Sequence, residues 1–261
     1  DMSGVILPPL DLSQVDLSNR RIIGASLGQM NLTDSSFADS DLTDTDLTNA
    51  DLTGTDFNDA VINGANLART TRVAALPVDD PPGPPAEPTD PGFTFAQLRQ
   101  TASYQHGDLS GVNFDENNLT GWDLSDQKLA GARIGADTEI DAVILDRADL
   151  RGVQGGVEGR LDEAASTENL IMPDGGVVGL NLGDGQRMHI RDFDEPAADP
   201  VPIEIQTAMT LAQTSALNFH LDDEDWLSPI GFEPGINVQL AGDLVLQPGA
   251  VTTAISSGLR Q

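Results

Sequence analysis

The chain has no cysteine among its 261 residues, which excludes a disulfide framework, a thiol nucleophile and cysteine-ligated metal. Only one of its thirteen basic residues is a lysine, Lys128, and against them stand 42 acids, for a formal charge of −29. Such a surface repels nucleic acid and anionic membranes. Aromatic residues make up 4% of the sequence, and no apolar run approaches the length needed to span a bilayer, so membrane insertion is not expected. No leader pattern opens the chain. It begins at Asp1 rather than a methionine, and Leu7 is already in register with the repeat described next, so both ends read as fragment ends and the missing export signal carries little weight.

What is present is a period. From Leu12 to Leu67 every fifth residue is large and apolar: Leu12, Leu17, Ile22, Leu27, Leu32, Phe37, Leu42, Leu47, Leu52, Phe57, Ile62, Leu67. On an α-helix this spacing walks around the cylinder, and on a flat strand it throws successive leucines to opposite faces. One buried face at period five requires a backbone that turns a corner once per unit. Two positions before each centre the residue is small, as at Ala25, Ser35, Ser40, Thr45, Ala50, Thr55, Ala60 and Ala65. Val15, Met30 and Arg20 depart from this rule. A narrow, densely packed interior demands that restriction. The remaining positions are rich in Asp, Asn, Thr, Ser and Gly, which suit corners.

Units such as Ala50-Asp51-Leu52-Thr53-Gly54 and Ala65-Asn66-Leu67-Ala68-Arg69 resemble the A(D/N)LXX unit of the pentapeptide-repeat family. The resemblance implies an all-β fold, a right-handed quadrilateral β-helix with twenty residues per coil. The pattern returns at Leu109, Phe114, Leu119, Leu124, Leu129 and Ile134, then slips by one residue to Ile140, Leu145 and Leu150. The slip predicts a bulge within Gly135–Glu139. Trp122 takes a slot kept small elsewhere, which predicts a locally wider coil or an outward ring.

Four segments follow. Residues 1–72 form repeat block 1. Residues 73–95 hold seven prolines among acids and read as a linker or insertion, open to proteases. Residues 96–155 combine a short helix over Phe95, Leu98 and Ala102, expected to cap the open end of a coil and keep the rods separate, with repeat block 2. Residues 156–261 read as a β-rich domain. Within it Val177–Leu182 and Arg187–Asp192 flank Gly183-Asp184-Gly185, a hairpin signal. Ile203–Gln206, Thr207–Leu211, Ala216–Leu221, Asn237–Ala241 and Gly242–Gln247 follow as strands. An antiparallel sandwich is preferred slightly over a β-roll continuing the solenoid.

A second resemblance covers residues 95–246. Thr101-Ala102-Ser103-Tyr104-Gln105, Asp108-Leu109-Ser110-Gly111 and Leu119-Thr120-Gly121-Trp122-Asp123-Leu124 are similar to a module of large, uncharacterised exported bacterial proteins, as are Leu170–Asp194, Ile230–Ile236 and Leu240–Leu246. It implies a secreted or cell-surface setting and no particular activity.

Chemistry is sparse. His106, His189 and His220 lie in separate segments without a shared motif, and each reads as a structural or surface residue. Asp222-Asp223-Glu224-Asp225 lacks the alternating spacing and turn glycine of a calcium loop, so a solvated acidic turn is expected. No G-x-S-x-G, H-E-x-x-H or P-loop occurs. The expectation is therefore no catalytic, cofactor-binding or metal site, no cofactor, and a non-enzymatic structural or display module for an unidentified protein or surface partner. The alternative comes from the resemblance: some pentapeptide-repeat proteins imitate duplex DNA and inhibit gyrase. Blocks 1 and 2 carry only −7 and −5, however, whereas residues 156–261 carry −13.

Overall fold

The structure, a computed structural model, describes residues 1–70, 93–191, 201–221, 230–232, 234, 237–240 and 243–248. The proline segment from Pro77 to Pro91 and the acidic run Asp222–Asp225 lie outside the described residues. The chain divides into two compact units.

Unit 1 comprises Asp1–Trp122, Gly131–Val143 and Val153–Ala165. Its first coils confirm the period. Parallel bridges join residues twenty apart, as Asp11 to Asn31, Asn31 to Asp51 and Ser36 to Asp56. The backbone ladder runs through Leu12 N–H to Asn31 O at 2.8 Å and Phe37 N–H to Asp56 O at 2.8 Å. Every large centre from Ile22 to Leu67 is fully buried. The small second position is buried too, and at three positions its hydroxyl finds a carbonyl: Ser40 Oγ donates to Leu17 O (2.7 Å), Thr45 Oγ1 to Ile22 O (2.8 Å) and Thr55 Oγ1 to Leu32 O (2.9 Å). These bonds let serine and threonine substitute for alanine there without orphaned polar groups, whereas Ser35 Oγ is buried with no partner among the described residues. Of the departures from the small rule, Met30 is buried and Arg20 is exposed.

The corners follow from local chemistry. A residue with φ near +60° recurs every five positions, at Asp34, Asp39, Asp44, Asn49, Gly54, Asp59 and Gly64. Asn, Asp and Gly tolerate that left-handed conformation best. At Gly54 any Cβ would also meet Asp34 Oδ1 at 2.3 Å. The D/N of each unit serves the same corner: the side chains of Asp41, Asp46, Asp51 and Asn66 accept the N–H two residues on, at 3.0–3.1 Å. These are Asx-turns.

Four expectations about block 2 meet corrections or confirmation in unit 1. First, the blocks do not form separate rods. Asn66 bridges Asn113, and Leu67 N–H donates to Asn113 O at 2.9 Å. Second, the segment after the prolines caps no coil end but supplies part of the next coil, as two helices, α1 (Phe95–Leu98) and α2 (Ala102–Gln105). Gln97 Nε2 donates to Leu52 O and Thr55 O (both 2.8 Å), Ala102 N–H to Ala60 O (2.8 Å), and Ser103 Oγ accepts from Ile62 N–H (2.9 Å). The helices satisfy the same backbone groups that a strand would. Third, Trp122 does not turn outward. Its ring is buried against Phe93, Phe95 and Phe114, at centroid distances of 6.2, 5.6 and 6.2 Å. Phe93 meanwhile extends the Phe37–Phe57 stack at 5.5 Å from Phe57. The predicted slip is present: Asn113 bridges Arg133 twenty residues on, whereas Asn118 bridges Glu139, twenty-one on. The Arg160 guanidinium secures the bulge by donating to the carbonyls of Gly135, Ala136 and Thr138. Arg160 itself comes from a 3-10 helix, Val157–Glu163, which the sequence pattern does not announce.

Unit 2 comprises Asp123–Ala130, Ile144–Gly152 and Ser166–Gln261. Its coils widen along the chain, from Asp123–Ile144 bridges to Asp149–Ile171, twenty-two apart. Among the described residues nine short strands follow: β1 (Gly176–Val177), β2 (Leu180–Leu182), β3 (Arg187–Arg191), β4 (Ile203–Ile205), β5 (Ala208–Leu211), β6 (Ala216–Leu221), β7 (Ile230–Phe232), β8 (Asn237–Leu240) and β9 (Asp243–Pro248). They form three parallel sheets, β1-β4-β7, β2-β5-β8 and β3-β6-β9. The antiparallel sandwich is therefore wrong, and the segment is a β-helix with three strands per coil. Nor is β2–β3 a hairpin. The Gly183-Asp184-Gly185 corner sends the chain into a new sheet, and Asp184 Oδ1 accepts from Thr214 of the next corner. Parallel stacking sets inward side chains on their likes, Met188 on Leu217, Ile190 on Phe219 and Ile203 on Ile230, around a core that includes Val177, Leu180 and Met209.

Candidate functional site

Outward side chains are the only groups left for recognition once the coils are filled. In unit 1 they are largely engaged by their own turns. Asp11 and Asp16 are held below the usual carboxylate range by the hydroxyls and N–H groups of Ser13 and Ser18. The Arg69 side chain bonds Glu116 at 2.6 Å, lowering the Glu116 carboxyl and raising the guanidinium, and Arg133 pairs with Asp115. These pairs join successive coils. Exposed, they contribute little stability each.

The outward face of β3 and β6 in unit 2 is different. Alternation places Arg187, His189 and Arg191 on one face of β3. Register sets Asn218 opposite His189 and His220 opposite Arg191. The two imidazoles lean together diagonally, His189 Nδ1 lying 2.6 Å from His220 Nε2 with ring centroids 4.9 Å apart. Close by, Asp126 takes both guanidinium donors of Arg147 at 2.9 Å, and its carbonyl accepts from Arg191 Nη1 at 3.3 Å. The Asp126 bond raises the Arg147 pKa. Partial burial, then the charges of Arg191 and Arg187, push the His189 pKa down, with Asp126 acting in the opposite sense.

That shift has a testable sign. His189 resists protonation in the folded chain but not in the unfolded one, so its stabilising contribution is present above the ordinary histidine range and lost as pH falls through it. Between pH 7.5 and 5.5, urea unfolding of the wild type should lose stability more steeply than that of His189→Asn. Parallel slopes would contradict the assignment.

The other sequence candidates are dispersed. His106 is the exposed C-cap of α2, its N–H donating to Ala102 O at 2.9 Å. Asp222–Asp225 falls outside the described residues. The sequence reading kept His189 and His220 apart, and the structure brings them together. The signal that joins them is the coil length, since β3 and β6 pair at a spacing of 29 residues and the histidines sit 31 apart. Among the described residues, no group of three or more His, Cys, Asp or Glu is placed to hold a metal ion, and no helix is long and apolar enough to cross a membrane.

With the coils and corners described, the sequence comparisons agree. Residues 11–49 and 40–71 match pentapeptide repeats, in 8 copies. Residues 11–71 belong to the pentapeptide-repeat family. Similar solved structures include QnrB1, a plasmid-mediated fluoroquinolone resistance protein, at 16% identity over 65% of this chain and 87% of that one, with a TM-score of 0.32. Another is HetL, a pentapeptide repeat protein involved in heterocyst differentiation regulation from the cyanobacterium Nostoc sp. strain PCC 7120, at 15% identity over 93% and 85%, TM-score 0.23. A third is a pentapeptide repeat protein of the Arabidopsis thaliana thylakoid lumen, at 19% identity over 59% and 73%, TM-score 0.17. Identities this low carry no activity across to the present chain. No curated protein matches it.

Proposed function

We propose that the chain is a non-enzymatic structural and protein-binding module of an exported protein, in which rigid coils display rows of outward side chains to a protein or surface partner. The observation that supports this most is the division of labour within each coil. Inward positions are filled by buried Leu, Ile, Phe and small residues, while outward positions stand in register from coil to coil. The strongly acidic, cysteine-free composition with a single lysine suits a solvated extracellular surface.

DNA imitation is the competing reading, and the rows themselves argue against it. One bridge row reads Asp11, Asn31, Asp51, another Asp16, Ser36, Asp56, and a third Arg21, Asp41, Val61. Carboxylates within such a row are interrupted, and coils stack at about 4.8 Å. Duplex DNA carries one charge per about 1.7 Å of axis. Titrating the purified chain into a gyrase supercoiling assay should therefore leave supercoiling unchanged through the micromolar range, at low and moderate salt. Inhibition there would replace the display reading with the mimic.

A further inference from the structure

We propose that His189 and His220 form a binding site for a borderline transition-metal ion of the zinc or nickel class, with Asn218 as a third donor and water completing the shell. The sequence reading expects no metal centre, because these residues are distant in the chain. Coil stacking is what makes them neighbours.

Two observations carry the proposal. His189 Nδ1 and His220 Nε2 lie 2.6 Å apart with ring centroids 4.9 Å apart, so the two ring nitrogens face each other. A tetrahedral zinc with bonds of about 2.0–2.1 Å holds its ligand nitrogens about 3.3 Å apart, so the nitrogens must separate by less than an ångström and each ring must tilt to aim its lone pair at the ion. Side-chain torsions supply that without moving the strands. Second, Asn218 stands on the same face of β6, opposite His189 in register. It is 3% exposed, and its Nδ2 is buried with no hydrogen-bond partner among the described residues. A side-chain amide can turn over to present its oxygen instead of its nitrogen.

Proton accounting is simple. In the neutral pair one imidazole donates to the other. On ligation the donor ring carries its proton on its other nitrogen, so both rings stay neutral and no proton is released. The charges of Arg187 and Arg191 oppose a cation on this face and Asp126 favours one. Imidazole ligands select zinc, nickel or copper over calcium and magnesium, whereas the abundant surface carboxylates have the opposite preference.

The test is calorimetric titration of the chain with zinc chloride and with nickel chloride at pH 7.5, using wild type, His189→Asn and His220→Asn, each verified by circular dichroism. The expected result is one ion per wild-type chain in the micromolar range, weakened on the order of tenfold or more in each variant. Binding should persist in millimolar calcium and fall away at pH 5.5. His220→Gln takes the place of any variant whose circular dichroism departs from wild type. No binding overturns the proposal. Equal binding by wild type and variants, or displacement by calcium, also overturns it and assigns the ions to surface carboxylates.

Discussion

Leu47→Asp should destabilise the chain by about 4 kcal/mol, the range associated with an unpaired charge forced into a core. Leu47 is 0% exposed, and its N–H and the carbonyl that it faces are committed to the coil ladder through Asn66 O at 2.9 Å. Around Leu47 the inward positions hold apolar side chains and small hydroxyls, so the new carboxylate finds no cation there. Each coil contacts only its neighbours, so the damage should spread first to the coils containing Leu27 and Leu67, the residues one turn away. Asp51→Ser is the matched control. Asp51 lies outside the interior, and its main service is to accept the Thr53 N–H at 3.1 Å, which a serine hydroxyl performs more weakly. Its effect should stay within about 0.5 kcal/mol. Urea unfolding followed by circular dichroism compares the two, and coincident curves would exclude the coil assignment.

The contrast between Leu47 and Asp51 is legible in the sequence because the repeat links composition to geometry at every fifth residue. A large residue, a small residue and an Asx-turn each have one place in a unit, and the structure keeps those places. The one-residue slip was legible for the same reason, since a broken period marks its own position. What lay beyond reach depends on pairing across distance. Asn66 and Asn113 bridge over a long intervening segment, and nothing local at either end distinguishes stacking from separation. Leu98 and Ala102 do announce a helix, but not that Gln97 would take up the carbonyls of Leu52 and Thr55 in place of a strand.

In the C-terminal segment most strand positions are readable, although the expected strand Val177–Leu182 is split between β1 and β2, and the sheets are not. Leu180–Leu182 and Arg187–Arg191 alternate inward and outward whether the chain reverses or turns a corner. Gly183-Asp184-Gly185 is equally good chemistry for both. Only the 29-residue register, which no short motif carries, decides for parallel stacking. The histidine pair was hidden by the same missing period. Arg151 carries no signal in the pattern: it falls just after the last repeat centre, and it is the largest fully buried side chain among the described residues.

Breaking the Asp149–Arg151 pair should cost about 3–5 kcal/mol. Arg151 is 0% exposed and Asp149 is 7% exposed as side chains, with Nη2 of Arg151 2.5 Å from Asp149 Oδ2 and Nε 2.9 Å from Oδ1. The guanidinium also donates to Val201 O at 3.2 Å and Arg191 O at 3.0 Å, so one side chain ties the end of β3 to the approach to β4. Asp149→Ala leaves those two carbonyls in place but removes the carboxylate that faces the buried guanidinium. Arg151→Met strands the carboxylate, which retains the Arg151 backbone N–H at 3.1 Å, and also frees both carbonyls. Each single change should therefore be severe, and raised salt should not rescue either, since a buried pair is little screened. The double variant Asp149→Ala/Arg151→Met removes both charges. It should be more stable than the sum of the single losses predicts, because neither charge is left without its partner. The residual deficit then measures the loss of the carbonyl contacts at Arg191 and Val201. Additive losses across the cycle would show that the two side chains act independently.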